Sequence, residues 1–433
     1  MRVSVLGTGY LGATHAACLS AWGHEVVGVD TDPDRIETLA SGRAPFREPG
    51  LDELLSAGVQ SGRLSFHTRL DAAREADVHF VCVGTPQCRD GSAADLSALW
   101  HLLRALAPML ERPCVVVGRS TVPVGTARAV RELLQCSSPV GSQVQVAWNP
   151  EFLREGRAVA DSLHPDRLVV GAEDNAAQAC LREVYAQVVA AGVPYLVTDL
   201  ATAELAKVAA NTMLAARLSL VNLLGEVCEV ADANVADLVT VLGHDARIGA
   251  QFLQPGLGFG GGCLPKDIRA FAARAEELGV GTELVGAVDT VNMRQRDRAV
   301  DKAIRLVDGD VTEARITVLG AAFKAGSDDV RDSPALDVAG RLHAHGANVT
   351  VHDPQALANA ARAHPDLCYQ PDLDGACRDA DALLLLTDWD DYRALDPVAL
   401  RQLVRSPRVL DGRLALDPAK WRAAGWTVAA LGR

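Results

Sequence analysis

Positive charge is in short supply in this 433-residue chain: 42 Lys and Arg stand against 55 Asp and Glu, a formal net charge of −13. Binders of nucleic acid or of anionic membranes depend on clustered basic charge, so neither partner is expected. A small polyanionic ligand remains admissible, because a few local Lys, Arg and helix N-termini suffice to hold one. Long apolar runs are also missing. Leu383 to Leu386 has the length of a buried strand, far below the ~20 residues of a membrane-spanning helix. The N-terminal Met1-Arg2-Val3-Ser4-Val5-Leu6 leads straight into a strand pattern, with no charged segment followed by an apolar core and cleavage site. A cytoplasmic protein is therefore expected. The ten cysteines include no Cys-x-x-Cys pair and no zinc-like cluster, so they read as reduced thiols and no metal site is expected.

What is present is ample core, with 49% hydrophobic residues, over a length that suits two or three domains. The two halves echo each other. The first opens with Arg2-Val3-Ser4-Val5-Leu6-Gly7, and its second strand, Glu25 to Val29, ends in Asp30. The second half opens with Arg315-Ile316-Thr317-Val318-Leu319-Gly320, followed by Asn348 to His352 ending in Asp353-Pro354. Further β-rich runs are Val78 to Val83, Cys114 to Gly118, Ala382 to Thr387 and Arg408 to Asp411. Such runs, separated by helical patterns, indicate parallel sheets covered on both faces. The expected fold class is α/β: two doubly wound Rossmann-like domains joined by a helical central domain with a long spine helix. That helix is read from Ala203 through Leu224, apolar on much of its circumference, and suits either a subunit interface or a buried core.

Gly7-Thr8-Gly9-Tyr10-Leu11-Gly12 is a Gly-x-Gly-x-x-Gly turn between a strand and a helix, with Asp30 eighteen residues beyond Gly12. Glycines at these spacings admit a pyrophosphate to a helix N-terminus, and an acid at Asp30 suits ribose hydroxyls while opposing a 2′-phosphate. NAD is the expected cofactor. The second half has Gly320-Ala321-Ala322-Phe323-Lys324 instead and is expected to bind no dinucleotide; Lys324 faces a phosphate or solvent.

A second glycine-dense stretch, Gly256-Leu257-Gly258-Phe259-Gly260-Gly261-Gly262-Cys263-Leu264-Pro265-Lys266-Asp267, allows close approach of backbone and ligand. Pro265 suits the first turn of a helix starting here, which puts the Cys263 sulfur at a positive helix end where a thiolate is favoured. Asp267 falls one turn on and can look back toward the sulfur. A reactive thiol and an inert cysteine are both compatible with this segment. Glu204, Lys207 and Asn211 share one helical face, offering either an oxyanion site or an ordinary polar contact. Thr85 and Thr121 follow strands at the cofactor edge, as ligands or as helix caps. In Asn149-Pro150-Glu151-Phe152-Leu153-Arg154-Glu155-Gly156, a helix would bring Glu151 and Glu155 onto one face, to hold sugar hydroxyls or only water.

Taken with Ser120-Thr121-Val122-Pro123-Val124-Gly125, Asp329-Val330-Arg331-Asp332-Ser333-Pro334 and Asp411-Gly412-Arg413, these blocks resemble the UDP-glucose/GDP-mannose dehydrogenase family over nearly the whole chain. The resemblance implies four-electron oxidation of a nucleotide-sugar C6 hydroxyl to a carboxylate with two NAD+ in succession, on UDP-glucose ahead of GDP-mannose or a UDP-N-acetylhexosamine. It implies Cys263 as nucleophile through a thiohemiacetal and a thioester. Lys207 and Asn211 would stabilise oxyanions, Asp267 and Thr121 would handle protons, and Glu155 would position the hydrolytic water. NAD would be held by Gly7, Gly9, Leu11, Gly12, Asp30, Arg35, Thr85, Thr121, Glu155, Lys266 and Arg331. The sugar nucleotide would be held by Glu151, Phe152, Leu153, Arg154, Glu155, Lys207, Asn211, Phe252, Leu253, Gln254, Pro255, Gly256, Gly260, Lys324 and Arg413, with Arg247 reaching a neighbouring subunit of a homodimer or larger homo-oligomer. The implied domains are 1–197 for NAD, 198–305 for dimerisation and the cysteine loop, and 306–433 for the UDP-sugar. Gly262, Leu264 and Leu223 depart from residues common in the family, and Arg119 stands where Lys is usual. A two-electron β-hydroxyacid dehydrogenase would leave the cysteine loop and third domain unexplained, and a catalytically dead sensor would not need Cys263, Lys207 and Asp267 together.

Overall fold

The computed structural model describes residues 1–432 and divides into two compact units. One is Met1–Ala210 with Ala270–Val280; the other is Asn211–Arg269 with the chain from Gly281 onward.

The first unit is built on eight strands: β1 (Arg2–Leu6), β2 (Glu25–Val29), β3 (Leu64–His67), β4 (Val78–Val81), β5 (Cys114–Gly118), β6 (Val144–Trp148), β7 (Leu168–Ala172) and β8 (Tyr195–Thr198). Their order is β3-β2-β1-β4-β5-β6-β7-β8. Runs such as Val115-Val116-Val117 are buried on both faces, which is why they lack polar alternation. The first six strands have the doubly wound dinucleotide-binding order, whose crevice opens where β1 and β4 part company. One pair departs from the expected all-parallel sheet: β6 and β7 are antiparallel, with Trp148 opposite Gly171.

The second unit repeats the order with β9 (Arg315–Leu319), β10 (Asn348–His352), β11 (Cys368–Tyr369), β12 (Ala382–Leu385), β13 (Arg408–Asp411) and β14 (Thr427–Ala430), arranged β11-β10-β9-β12-β13-β14 and parallel throughout. The spine helix is confirmed as Leu200–Ala231. It stops at Asp232, whose backbone turns left-handed (φ 54°), and a shorter helix, Val235–Gly243, restarts with Asn234 capping the Ala236 amide. Among the described residues, no helix is long and apolar enough to cross a membrane.

The sheets differ at their first strand-to-helix turn. After β1 the chain enters the helix Tyr10–Ala21 almost at once; after β9 no helix starts until Pro334–Ala344, capped by Ser333. Asp353 follows β10 as Asp30 follows β2, yet it is buried and saturated. It accepts from the amides of Ala321 (2.7 Å), Ala322 (3.0 Å), Gln355 and Ala356 (both 2.8 Å), and from the Trp389 indole at 3.1 Å. A ribose hydroxyl finds no acceptor left there. Asp353→Ala strands five donors, four of them buried, and we expect it to destabilise the protein by at least ~3 kcal/mol. Urea unfolding followed by tryptophan fluorescence checks this; a midpoint unchanged from wild type would show that the Ala321–Ala322 turn is held otherwise.

Candidate active site

In the first unit the three glycines of the turn have three separate reasons. Gly7 sits at φ +91°, and a Cβ there would meet Val83 N at 2.9 Å. A Cβ on Gly12 would lie 1.8 Å from the Gly7 carbonyl oxygen, so only glycine lets the helix come this close to the strand. Around Gly9 nothing lies within 4 Å. That open side, at the N-cap of a helix with no acid in its first turn, fits a pyrophosphate. Leu11 follows in the helix's first turn, packed against the core.

Asp30 braces the turn by accepting from Thr8 N at 2.7 Å, and its other oxygen accepts from Asp32 N (3.1 Å) and Arg35 Nη1 (3.0 Å). Burial works against its ionisation, but these amides and the guanidinium outweigh burial and hold the carboxyl below its usual range. The acid is therefore charged and fits ribose hydroxyls, with Arg35 as the ligand such a hydroxyl would share or displace. Thr85 donates its hydroxyl proton to the Thr121 carbonyl at 2.7 Å, linking the two loops that carry these threonines.

The shared face of Glu204, Lys207 and Asn211 is real, but each residue has its own partner. Glu204 accepts from the amides of Gly125 (2.7 Å) and Ala127 (2.5 Å) and so caps the helix Thr126–Ser137 that follows the Ser120–Gly125 block. Burial pushes its carboxyl up to about 7 despite those amides. Lys207, buried, pairs with Glu151 at 2.9 Å. Burial raises the Glu151 carboxyl, and Lys207 with the Leu153 amide more than reverses this, holding it below its usual range.

The segment 149–154 is not helical, contrary to expectation, so Glu151 and Glu155 do not share a helix face. Glu151 instead turns toward Lys207 and accepts from Leu153 N at 2.6 Å, which holds the chain irregular. Arg154 is engaged by Asp161, and Phe152 carries the Arg167 guanidinium 3.9 Å above its ring. Glu155 is partly buried in the turn that follows. This turn is strapped to the glycine turn: Glu48 bonds Tyr10 Oη and accepts from Gly156 N (2.8 Å) and Val159 N (3.1 Å). Nothing in the local sequence pattern signalled Glu48.

In the second unit Cys263 is exposed and immediately precedes the helix Leu264–Glu277, where Pro265 occupies the first turn as expected. The Asp267 amide bonds the Cys263 carbonyl at 3.0 Å, closing that turn. Asp267 is buried; its carboxylate accepts from Asn211 Nδ2 at 2.6 Å and meets Lys266 Nζ at 2.5 Å.

The glycines before Cys263 are crowded by the protein itself, whereas ligand approach was the expected reason for them. A Cβ would strike Asn292 at Gly258 (2.4 Å), Asp332 O at Gly260 (2.2 Å), the Phe323 ring at Gly261 (2.7 Å) and the Arg331 guanidinium at Gly262 (2.2 Å). Asn292, fully buried, clamps Phe259 through both its amide and its carbonyl (2.7 and 3.0 Å). Arg413 spends three N–H groups on the carbonyls of Leu386, Gly258 and Phe323.

These contacts wall a cavity of about 410 Å³ in the second unit, lined by Phe252, Gln254, Pro255, Gly256, Gly260, Lys324 and Arg413. All seven were expected substrate residues. Leu253 is not on the wall; it is buried beneath it. Asn222 is, and also accepts from Gly256 N at 2.8 Å; a polar residue on an apolar helix was the signal for it. Arg331 chelates Asp329, and Arg247 is exposed and chelates Asp245 of its own chain.

Comparison with known proteins agrees over the full length. Residues 1–189 match the NAD-binding domain of the UDP-glucose/GDP-mannose dehydrogenase family, 201–294 its central domain and 317–418 its UDP-binding domain. The chain belongs to this family. It is 38% identical to UDP-glucose 6-dehydrogenase of Rhizobium meliloti, covering 100% of both chains, and 36% identical to that of Pseudomonas aeruginosa, covering 100% and 98%. A solved UDP-glucose dehydrogenase from Pyrobaculum islandicum superposes with a TM-score of 0.90 at 36% identity, covering 98% of each chain. A UDP-D-ManNAc dehydrogenase from Pyrococcus horikoshii gives 0.88 at 27% identity, covering 100% and 99%. The cofactor of the family's first domain is the one the glycine turn and Asp30 fit.

Glu204 generates a prediction. Its folded pKa of about 7 lies above the ordinary glutamate value of 4.5, so the folded state holds its proton longer than the unfolded chain. Its contribution is complete below about pH 4.5 and is lost as pH rises through about 7. In Glu204→Gln this fall should vanish: wild-type Tm should decline against the variant across that window. Parallel Tm profiles would contradict it.

Proposed function

We propose that this chain is an NAD-dependent UDP-glucose 6-dehydrogenase that oxidises the C6 hydroxyl of UDP-glucose to the carboxylate of UDP-glucuronate. The observation that carries this reading is Cys263, exposed at the start of a helix whose first turn holds Asp267 bonded to Asn211. The full-length relatives named UDP-glucose 6-dehydrogenase support the sugar.

In this reading 1–197 holds the cofactor, 198–305 carries the thiol, and 306–433 holds the UDP moiety. Gly7, Gly9, Leu11, Gly12, Asp30, Arg35, Thr85, Thr121 and Glu155 hold NAD, with Lys266 and Arg331. Two NAD+, bound in succession, would supply the hydride acceptors for the two oxidations. Asp267, with a water and Thr121, takes the proton from the C6 hydroxyl in the first oxidation. The Cys263 sulfur then adds to the aldehyde carbon, giving a thiohemiacetal whose oxygen carries the negative charge. A free aldehyde lacks the tetrahedral alkoxide needed to expel a second hydride, and the thiol adduct supplies it. Lys207 and Asn211 stabilise that oxyanion; this asks Lys207 to share its charge between Glu151 and the substrate. Loss of hydride leaves a thioester, and water positioned by Glu155 attacks it, releasing carboxylate and the Cys263 thiol. Glu151 to Arg154 and the wall from Phe252 to Gly260, with Lys324 and Arg413, hold the sugar nucleotide. The reaction would run in the cytoplasm, where thiols are kept reduced.

The test is stoichiometry. Wild type should form two NADH per UDP-glucose, and Cys263→Ser should lose UDP-glucuronate formation by at least ~10³-fold. One NADH per sugar, or an unimpaired variant, would overturn the mechanism. Turnover of GDP-mannose or a UDP-N-acetylhexosamine with UDP-glucose inert would overturn the substrate alone.

The active form is a homodimer or larger homo-oligomer. The spine helix supports this with an exposed apolar row, Met213 (66%), Leu220 (58%), Val227 (55%) and Val230 (91%), at the seven- and three-residue spacing of one helix face. Arg247, exposed nearby in sequence, is then the residue offered to the neighbouring subunit. Leu220→Glu with Val227→Glu should shift sedimentation from oligomer to monomer. A wild type that sediments as a monomer would remove the premise.

A further inference from the structure

The proposed reaction leaves one buried carboxylate without a role. Glu48 is 7% exposed and stands in the loop between the helices Pro33–Ala40 and Leu51–Gln60 of the first unit. The loop is stiff for local reasons. Pro45 and Pro49 fix φ at two of its positions, and Pro49 steers the Glu48 backbone away from helix. Asp52 takes the Ala44 amide at 2.6 Å, and the Leu51 amide bonds the Glu48 carbonyl at 3.2 Å.

From this loop the carboxylate reaches two segments distant in sequence. One oxygen accepts the Tyr10 phenol proton and the Gly156 amide (2.8 Å). The other accepts from Val159 N at 3.1 Å, in the first turn of the helix Ala158–Leu163. The Gly156 amide is shared, since it also donates to Tyr10 Oη at 2.7 Å. Tyr10 lies on Phe46 of the same loop, with ring centroids 4.7 Å apart. Burial, and after it the bond to Glu48, pushes the phenol well above its ordinary pKa, so it remains a donor.

Both segments carry residues of the proposed reaction. Tyr10 sits between Gly9 and Leu11, where the helix meets the pyrophosphate. Gly156 directly follows Glu155 and has a left-handed backbone (φ 76°), so the bonds to its amide fix the chain beside the Glu155 side chain. Glu155 lies near enough to Tyr10 for its charge to act on the phenol. Three donors converging on two oxygens suit a carboxylate, which only accepts. A glutamine of the same shape would set N–H against N–H at one of them.

We propose that Glu48 is a positioning residue for the second half of the reaction: through Tyr10 and Gly156 it sets Glu155 against the dinucleotide turn. This rests on the reading that Glu155 positions the hydrolytic water. In that step the water oxygen bonds to the thioester carbon and the C–S bond breaks. The sulfur leaves with one of the water's protons, and the other goes to solvent. A displaced Glu155 therefore slows hydrolysis more than the two hydride transfers, which do not need the attacking water.

Rapid-quench turnover of UDP-glucose with NAD+ tests this. In Glu48→Gln, hydrolysis should slow by about 10- to 100-fold relative to thioester formation. NADH should then appear as a burst of two per active site, and intact mass after acid quench should show the UDP-glucuronyl adduct on most of the enzyme. Tyr10→Phe keeps the ring on Phe46 and leaves Glu48 its two amides, so it serves even if Glu48→Gln fails to fold. It should accumulate the same adduct to a smaller extent. A merely structural strap would lower Tm and scale every step together. Adduct absent from both variants, or formation and hydrolysis falling in equal proportion, would overturn the proposal and leave the oxidation reading in place. A wild type that forms other than two NADH per UDP-glucose would defeat that reading, and this proposal with it.

Discussion

Each sheet is organised by one carboxylate at the end of its second strand, bonded to the backbone amides that follow its first strand. Asp30 does this to Thr8 and Asp353 to Ala321 and Ala322, at 2.7 to 3.0 Å. An amide bonded to a charged acceptor is fixed more firmly than one bonded to a neutral carbonyl. What distinguishes the units is what else the acid holds. Asp30 keeps an edge shared with the Asp32 amide and the half-buried Arg35 guanidinium, while Asp353 is closed off by Trp389 and two further amides, those of Gln355 and Ala356. A single arrangement thus yields one half whose acid fits a ribose and another that has turned the same position into structure.

The glycine segment before Cys263 shows a related economy. Its glycines look like those of a phosphate loop, yet most are pressed by Asn292, Asp332, Phe323 and Arg331. Their function is to let a loop sit flush on the second unit while Arg413 and Asn292 take up its carbonyl and amide groups. Rigidity here bears on the proposed chemistry, because a nucleophile must be held close to its productive geometry to gain from proximity.

Legibility from sequence followed the range of the interaction. Gly7, Gly9, Gly12 and Asp30 lie within one strand–helix–strand unit, and their arrangement was readable from spacing. The face of Glu204, Lys207 and Asn211 was readable too, since helical periodicity is local. Their partners were not: Gly125 and Ala127 lie 79 and 77 positions from Glu204, and Asp267 lies 56 from Asn211. The helical reading of Glu151 to Glu155 failed for the same reason, because Lys207 decides the Glu151 conformation. Arg119 looked like a conservative charge in a strand-end motif, and only the fold shows it buried and bonded to Asn149 and Tyr185.

The bond from Arg413 to the Gly258 carbonyl spans 155 residues and has a consequence in time. At about 5–20 residues per second, a ribosome needs roughly 8–30 s to make the stretch between them. Through that interval the first unit already has all its strands, while the loop ahead of Cys263 lacks the side chain that fastens it. An abandoned nascent chain would therefore carry a complete dinucleotide turn and a thiol loop held by Asn292 but not by Arg413.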